Sequence, residues 1–180
     1  MQRRVENPVI GDVVTFVETS EETAGARTLL KIELSPGGGN TPHYHKSYGE
    51  HFRALTGRGA VEVDGIEQEL GEGDEATAPP GTLHCFRNRS PDRAIFEVEL
   101  RPGHEGFEKS LRVGYALAAN GLTNKKAIPK NPMHTALLLE WSETRLPGIY
   151  GLLEQPLKLL ARLARRRGVD RALERQYLGS

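Results

Sequence analysis

Three histidines and one glutamate form the candidate reactive set of this chain. His43 and His45 stand two apart, Glu50 follows after a short interval, and His84 comes much later. Imidazole nitrogens and a carboxylate oxygen are donors for a divalent ion, and thiolates are missing from the set because Cys85 is the single cysteine. A mixed nitrogen and oxygen set suits Fe, Mn, Ni, Cu or Zn, and it leaves positions open for a substrate or water. On an extended strand His43 and His45 project from the same face. Glu50 comes from the next strand, and His84 needs a closed or folded-over sheet to reach the others. His51 and Cys85 each follow one of these residues directly, so alternation turns them to the opposite face. A bulge after His45 would exchange His51 for Glu50. Cys85 reads as a packed or surface thiol.

The same residues sit in two spaced patterns, Gly37-x5-His43-x-His45-x4-Glu50-x6-Gly57 and Gly73-x5-Pro79-x-Gly81-x2-His84-x3-Asn88. At every specified position the chain resembles the cupin superfamily, over roughly residues 10–101. The resemblance implies a double-stranded β-helix, or jelly-roll, barrel. It also implies one divalent transition metal held by His43, His45, Glu50 and His84, and a homodimer. It does not fix the reaction, because the superfamily spans dioxygenases, isomerases, decarboxylases, storage proteins and sensing modules. The leading expectation is a metal-dependent oxidoreductase, dioxygenase-like, acting on a small organic substrate. Glu50 would remain a ligand in it or leave the metal to act as a base. The alternatives are a non-catalytic module that binds or senses a small molecule or a metal, and a peripheral membrane or interaction protein with the barrel as scaffold and the basic C-terminal helix as contact. Tyr44, Tyr48 and Arg53 lie near the ligands in sequence and read as turn and surface residues.

The elements that must position these groups follow from periodicity. Strands are expected over 13–18, 28–34, 43–45, 50–55, 59–63, 66–70, 75–78, 84–88 and 94–100, with Asp64-Gly65 as a two-residue hairpin turn. Leu30, Ile32 and Leu34 alternate with Lys31 and Glu33, which marks one buried and one wet face. Alternation from the ligands nominates Phe52, with Ala54, and Phe86, with Asn88, as cavity wall. Leu30, Ile32, Phe96 and Val98 complete the expected substrate pocket. The fold class is therefore an all-β core, a jelly-roll barrel over residues 1–103, followed by a helical C-terminal extension over 104–180.

In that extension, helices are expected over 107–120 and from the Asn131-Pro132 cap to about Ser142. A third is expected from Ile149 to about Arg167, kinked or restarted at Pro156. Leu152, Leu153, Leu157, Leu160, Leu163 and Ala164 are expected on one side of it. That stripe should pack on the protein or a sister subunit; a weak contact with an anionic membrane surface is the alternative its arginines allow. Basic and acidic residues balance at 24 each over the 180 residues, which gives no nucleic-acid signature. Residues 150–180 nevertheless carry seven Lys or Arg against three acids. No secretory or membrane-spanning run is visible, so a cytoplasmic location is the expectation.

Overall fold

Period-two alternation governs the first hundred residues. The structure, a computed structural model, describes residues 2–179, apart from the side chains of Ile149 and Tyr150. Its strands are β1 (Arg4–Asn7), β2 (Asp12–Glu18), β3 (Thr28–Leu34), β4 (Gly49–Thr56), β5 (Gly59–Val63), β6 (Ile66–Leu70), β7 (Glu75–Ala78), β8 (His84–Asn88) and β9 (Ala94–Arg101). They form a six-stranded sheet ordered β1-β2-β3-β9-β4-β7 and a three-stranded sheet ordered β6-β5-β8, antiparallel throughout. Thr28, Leu30, Ile32 and Leu34 of β3 are buried while the residues between them are half-buried. β9 repeats this with Ala94, Phe96, Val98 and Leu100. These two strands pair in the middle of the large sheet, with Leu30 opposite Val98 and Ile32 opposite Phe96, so their inward side chains form the centre of the barrel core. The β5–β6 turn has φ of 49° at Asp64 and 79° at Gly65, the left-handed pair that a two-residue hairpin requires.

Two strand expectations are corrected. Residues 43–45 do not form a regular strand. They run extended through isolated bridges, His43 to His84 and Tyr44 to Arg145, because neither neighbour continues alongside them. β1 was not anticipated: four residues with three polar side chains carry too little alternation to announce a strand. It exists because β2 offers its edge, with Val5 opposite Val14.

The helices are α1 (Glu105–Ala119), α2 (Pro132–Trp141), α3 (Glu154–Arg166) and α4 (Val169–Tyr177), with a 3-10 segment over Gly148–Leu153. His104 caps α1 by accepting from Phe107 N at 2.9 Å. Asn131 caps α2 by accepting from Met133 N at 2.9 Å, and Pro132 occupies the first turn, where no N–H is required. Pro156 likewise sits in the first turn of α3 and starts the helix rather than kinking it. α4, not anticipated, follows Gly168 in a left-handed conformation. The leucines expected on one side of α3 are in fact divided. Ala161 and Ala164 are buried with Leu157 and Leu160 against them, whereas Leu152, Leu153 and Leu163 are exposed, as is Leu159 outside the expected stripe. Among the described residues, no helix is long and apolar enough to cross a membrane.

A buried charge cluster ties α1 to the barrel. Glu108 Oε1 accepts from Ser20 N and Thr28 Oγ1, both at 2.6 Å, while Glu108 Oε2 faces Arg112 Nη1 at 3.5 Å. The Arg112 guanidinium lies 3.5 Å from the centre of the Phe16 ring, a cation–π contact with a barrel side chain. Removing one member leaves the other charge buried and unpaired. Glu108→Ala is therefore expected to lower unfolding stability by about 3 kcal/mol, measured by urea denaturation. A loss below about 1 kcal/mol would mean that apolar packing alone docks the helix.

Candidate metal centre

The two ligand-bearing segments meet where the extended 43–45 stretch crosses the start of β8. His43 N donates to His84 O at 3.0 Å and His84 N to His43 O at 2.8 Å, which sets the two imidazoles side by side. Gly81, at φ 80°, closes the Pro79–Thr82 turn and donates to His45 O at 2.6 Å, so the turn before His84 is fastened to the third histidine. Glu50 enters from β4, opposite Leu100 of β9. One donor atom from each of His43, His45, Glu50 and His84 lies within 4.8 Å of every other, and all four residues are buried.

The orientation of the rings is fixed by their second nitrogens. His43 Nδ1 donates to Thr41 O at 2.8 Å and His84 Nδ1 to Thr82 O at 2.9 Å, each two residues back along the chain. His45 has no such local acceptor. Tyr48 donates its hydroxyl to Ser142 O at 2.7 Å, which leaves the Tyr48 oxygen to accept from His45 Nδ1–H at 2.8 Å; the same Nδ1 lies 3.2 Å from Ser142 O. Ser142 follows α2 directly, so its carbonyl belongs to the end of a helix, where acceptors lack intrahelical partners. All three imidazoles thus carry the proton on Nδ1 and direct Nε2 inward, the arrangement that outer hydrogen bonds impose on metal-ligating histidines.

Among the described residues, two of those inner nitrogens find no hydrogen-bond partner. His45 Nε2 and His84 Nε2 are sealed from solvent without a hydrogen-bond partner. They lie 3.5 Å and 3.4 Å from the two Glu50 oxygens. Buried polar atoms are rarely left so, and a cation between them removes the deficit. The donor set therefore fits one metal ion, without selecting which. Burial depresses the pKa of His45 to about 3 and also lowers that of His43, despite the attraction of Glu50. For Glu50 burial acts upward, but His84 and the other imidazoles outweigh it and hold the carboxyl at about 2. For His84 burial acts downward, and Glu50 outweighs it and raises the pKa. Within the site Glu50 thus favours a proton on His84, while burial disfavours one on His43 and His45.

The remaining nominated residues are distributed differently. Ile32, Phe86 and Val98 line a cavity of about 300 Å³ that has His43 and Glu50 at one end. Leu30, Phe52 and Phe96 are fully buried in the core and lie outside its lining, because Phe52, Phe86 and Phe96 fill the barrel as neighbouring rings, 5.3 and 6.0 Å apart, of which Phe86 alone borders the cavity. Ala54 is core, and Asn88 is a structural tie, its amide donating to Leu34 O, Ser35 O and Asp92 O. His51 faces outward to Thr77 and Glu75. Cys85 is buried beside Glu62, away from the histidines. Arg53 is exposed near Glu75, as a surface residue should be. Tyr48 is not a surface residue. It is 1% exposed and stacks on His45 with ring centres 4.4 Å apart. Its three-residue spacing from His45 is the signal that could have found it, given a turn rather than a strand there. The extension also supplies cavity wall, including Phe107, Leu111 and Tyr115 of α1 and Ser142 beyond α2. No spacing rule links those residues to the barrel motifs.

Two outcomes are expected. Tyr48→Phe removes one of the acceptors of His45 Nδ1–H and should weaken metal affinity about tenfold by competition with a chelating dye, with the fold intact by circular dichroism. Because His84 is raised and faces Glu50, metal uptake should displace a proton, so apparent affinity increases as pH rises above the ordinary histidine range. Calorimetry in buffers of different ionisation enthalpy reads that proton directly. Affinity independent of pH would contradict a protonated His84 in the metal-free site.

Comparison with known proteins agrees with this geometry. Residues 30–103 match the family profile described as Cupin domain. An uncharacterized protein of Aquifex aeolicus (strain VF5) is 30% identical over 108 residues, 60% of this chain and 72% of that protein. A predicted oxalate decarboxylase of Thermotoga maritima shares the fold at 20% identity and TM-score 0.50, over 55% of this chain and 90% of that one. An RmlC-like cupin of Shewanella frigidimarina does so at 23% identity and TM-score 0.50, over 59% and 89%. With its sequence matched over residues 30–103, the chain belongs to the cupin superfamily.

Proposed function

We propose that the protein is a metal-dependent oxidoreductase of the dioxygenase type, acting on a small organic substrate. The observation that carries this reading is the pair of partnerless inward nitrogens, His45 Nε2 and His84 Nε2, beside a buried carboxylate at one end of a mostly apolar cavity. A redox-active ion held there would supply open coordination positions for substrate oxygen and dioxygen. The chain itself would do the rest. Thr41, Ser142 and Thr82 orient the imidazoles through their carbonyls. The apolar wall of Ile32, Phe86, Val98 and Leu111 excludes water from a bound substrate. Glu50 fits the role of ligand better than that of base, since a carboxylate held near 2 accepts protons weakly at neutral pH.

The test is elemental analysis of protein purified without chelators or a metal-affinity column, for wild type and His84→Ala. About one equivalent of metal is expected in wild type and far less in the variant. The iron-loaded protein is then screened for oxygen uptake against small carboxylic acids, phenols and ketones. Stoichiometric metal with no oxygen uptake would sink the oxidative reading and favour a binding or sensing module. Metal retained by His84→Ala would sink the site.

A further inference from the structure

The cavity has a second polar end that the metal centre does not use. Asp12 opens β2 and lines the same space as His43 and Glu50. It is 3% exposed, and its Oδ1 is sealed from solvent with no hydrogen-bond partner. A Cβ on residue 38 would stand 2.9 Å from that oxygen, so Gly38 leaves the carboxyl its room. Tyr115 of α1 borders the same end, near enough to Asp12 for the carboxylate charge to act on its hydroxyl. Desolvation pushes the Asp12 carboxyl up to about 6, against the smaller lowering influences of the Ser35 backbone and the Arg93 charge.

Register separates the two ends. Val13, next to Asp12, is opposite Glu33, which is opposite Ile95 of β9, whereas Glu50 is opposite Leu100 of the same strand. Five residues along a strand span roughly 17 Å on a flat sheet and less across a curled one. Between the ends the wall is apolar, through Val14, Ile32, Val98 and Leu111. A carboxyl serving only the fold would be paired, because an unpaired buried one costs stability. Asp12 caps no helix, and the Ser35 backbone N–H that acts on its carboxyl leaves Oδ1 without a partner.

We infer that Asp12, with Tyr115, is a recognition site for the far end of the ligand, and that the ligand is a small, apolar-bodied oxyacid carrying a hydroxyl or ammonium donor opposite its acidic group. The acidic oxygen suits the metal end, where a divalent ion outweighs the single Glu50 charge. The donor suits the unpartnered oxygen of Asp12, with Tyr115 bordering the same end. This inference rests on the metal-dependent reading above.

The test uses full-length protein loaded with cobalt(II), whose absorption spectrum responds to ligands entering its coordination sphere. Straight-chain ω-hydroxy and ω-amino carboxylates of graded length are titrated against unsubstituted carboxylates of equal length. For one length, wild type should prefer a substituted acid by about tenfold, the scale of one buried charge-assisted hydrogen bond. Asp12→Leu should abolish that preference and Tyr115→Phe should reduce it, with cobalt content unchanged in both. Equal binding of substituted and unsubstituted acids at every length, or a preference that survives both substitutions, overturns the inference while leaving the metal site standing. Should Asp12→Leu fail to fold, Tyr115→Phe decides alone: an undiminished preference overturns the inference. Failure of wild type to take up cobalt removes the metal reading and this inference with it.

Discussion

Burying Glu50 is the constraint around which the rest of the structure is arranged. A carboxylate at 4% exposure with no backbone N–H on it is costly unless positive charge is near. Here the compensation comes from three imidazoles, of which His43 and His45 resist being charged because they are buried, while Glu50 favours a proton on His84. A single proton shared between His84 and Glu50 is a partial answer; a divalent ion is a complete one, because it satisfies the carboxylate and the inward nitrogens together. The hydrogen bonds of the outer nitrogens make this possible. Were any Nδ1 left free, its ring could turn or change tautomer, and the inner nitrogen would no longer be a lone pair facing the others.

Two of those outer bonds are local and one is remote, and the difference explains why the helices matter. Thr41 and Thr82 stand two residues before their own histidines, so the turns that deliver His43 and His84 also orient them. His45 depends on Ser142, a carbonyl ninety-seven residues away. The helix end supplies it because its last carbonyls have no partner within the helix. Tyr48, wedged between His45 and Ser142, converts one carbonyl into two fixed contacts. The helical region is thereby part of the site. Its docking rests on the Glu108–Arg112 pair and on the Tyr44–Arg145 bridge, and Glu108 reaches two barrel residues at once.

The same docking creates the cavity. A jelly-roll core filled by Phe52, Phe86, Phe96 and their neighbours leaves little space at its centre. The space lies instead between the open side of the barrel and α1, with Phe107, Leu111 and Tyr115 as its outer wall. It has a metal-binding end, an apolar middle and a carboxyl at the far end, the kind of anisotropy that fixes the direction of a ligand as well as its size. The outer face of α3, with Leu159 and Leu163 exposed, takes no part in this wall.

The features legible in the order of residues were mostly local and periodic. Alternation in β3 and β9 declared the buried faces, Asp64-Gly65 declared its hairpin, and the two spaced motifs declared which four side chains converge. The first two signals are written within a few residues, since strand alternation has a period of two and turn chemistry a span of two to four; the motifs, over 37–57 and 73–88, are legible through the family resemblance. The tertiary structure decided what depends on distant partners. It made residues 43–45 a bridge rather than a strand, gave the polar segment Arg4–Asn7 a place on a free edge, and turned Tyr48 inward. It also chose Ile32, Phe86 and Val98 over Leu30, Phe52 and Phe96 as cavity wall. No pattern in the chain could do so, because inward-facing residues on one strand are equivalent by alternation, and only the curvature of the sheet and the seat of α1 distinguish those that meet open space from those that meet each other.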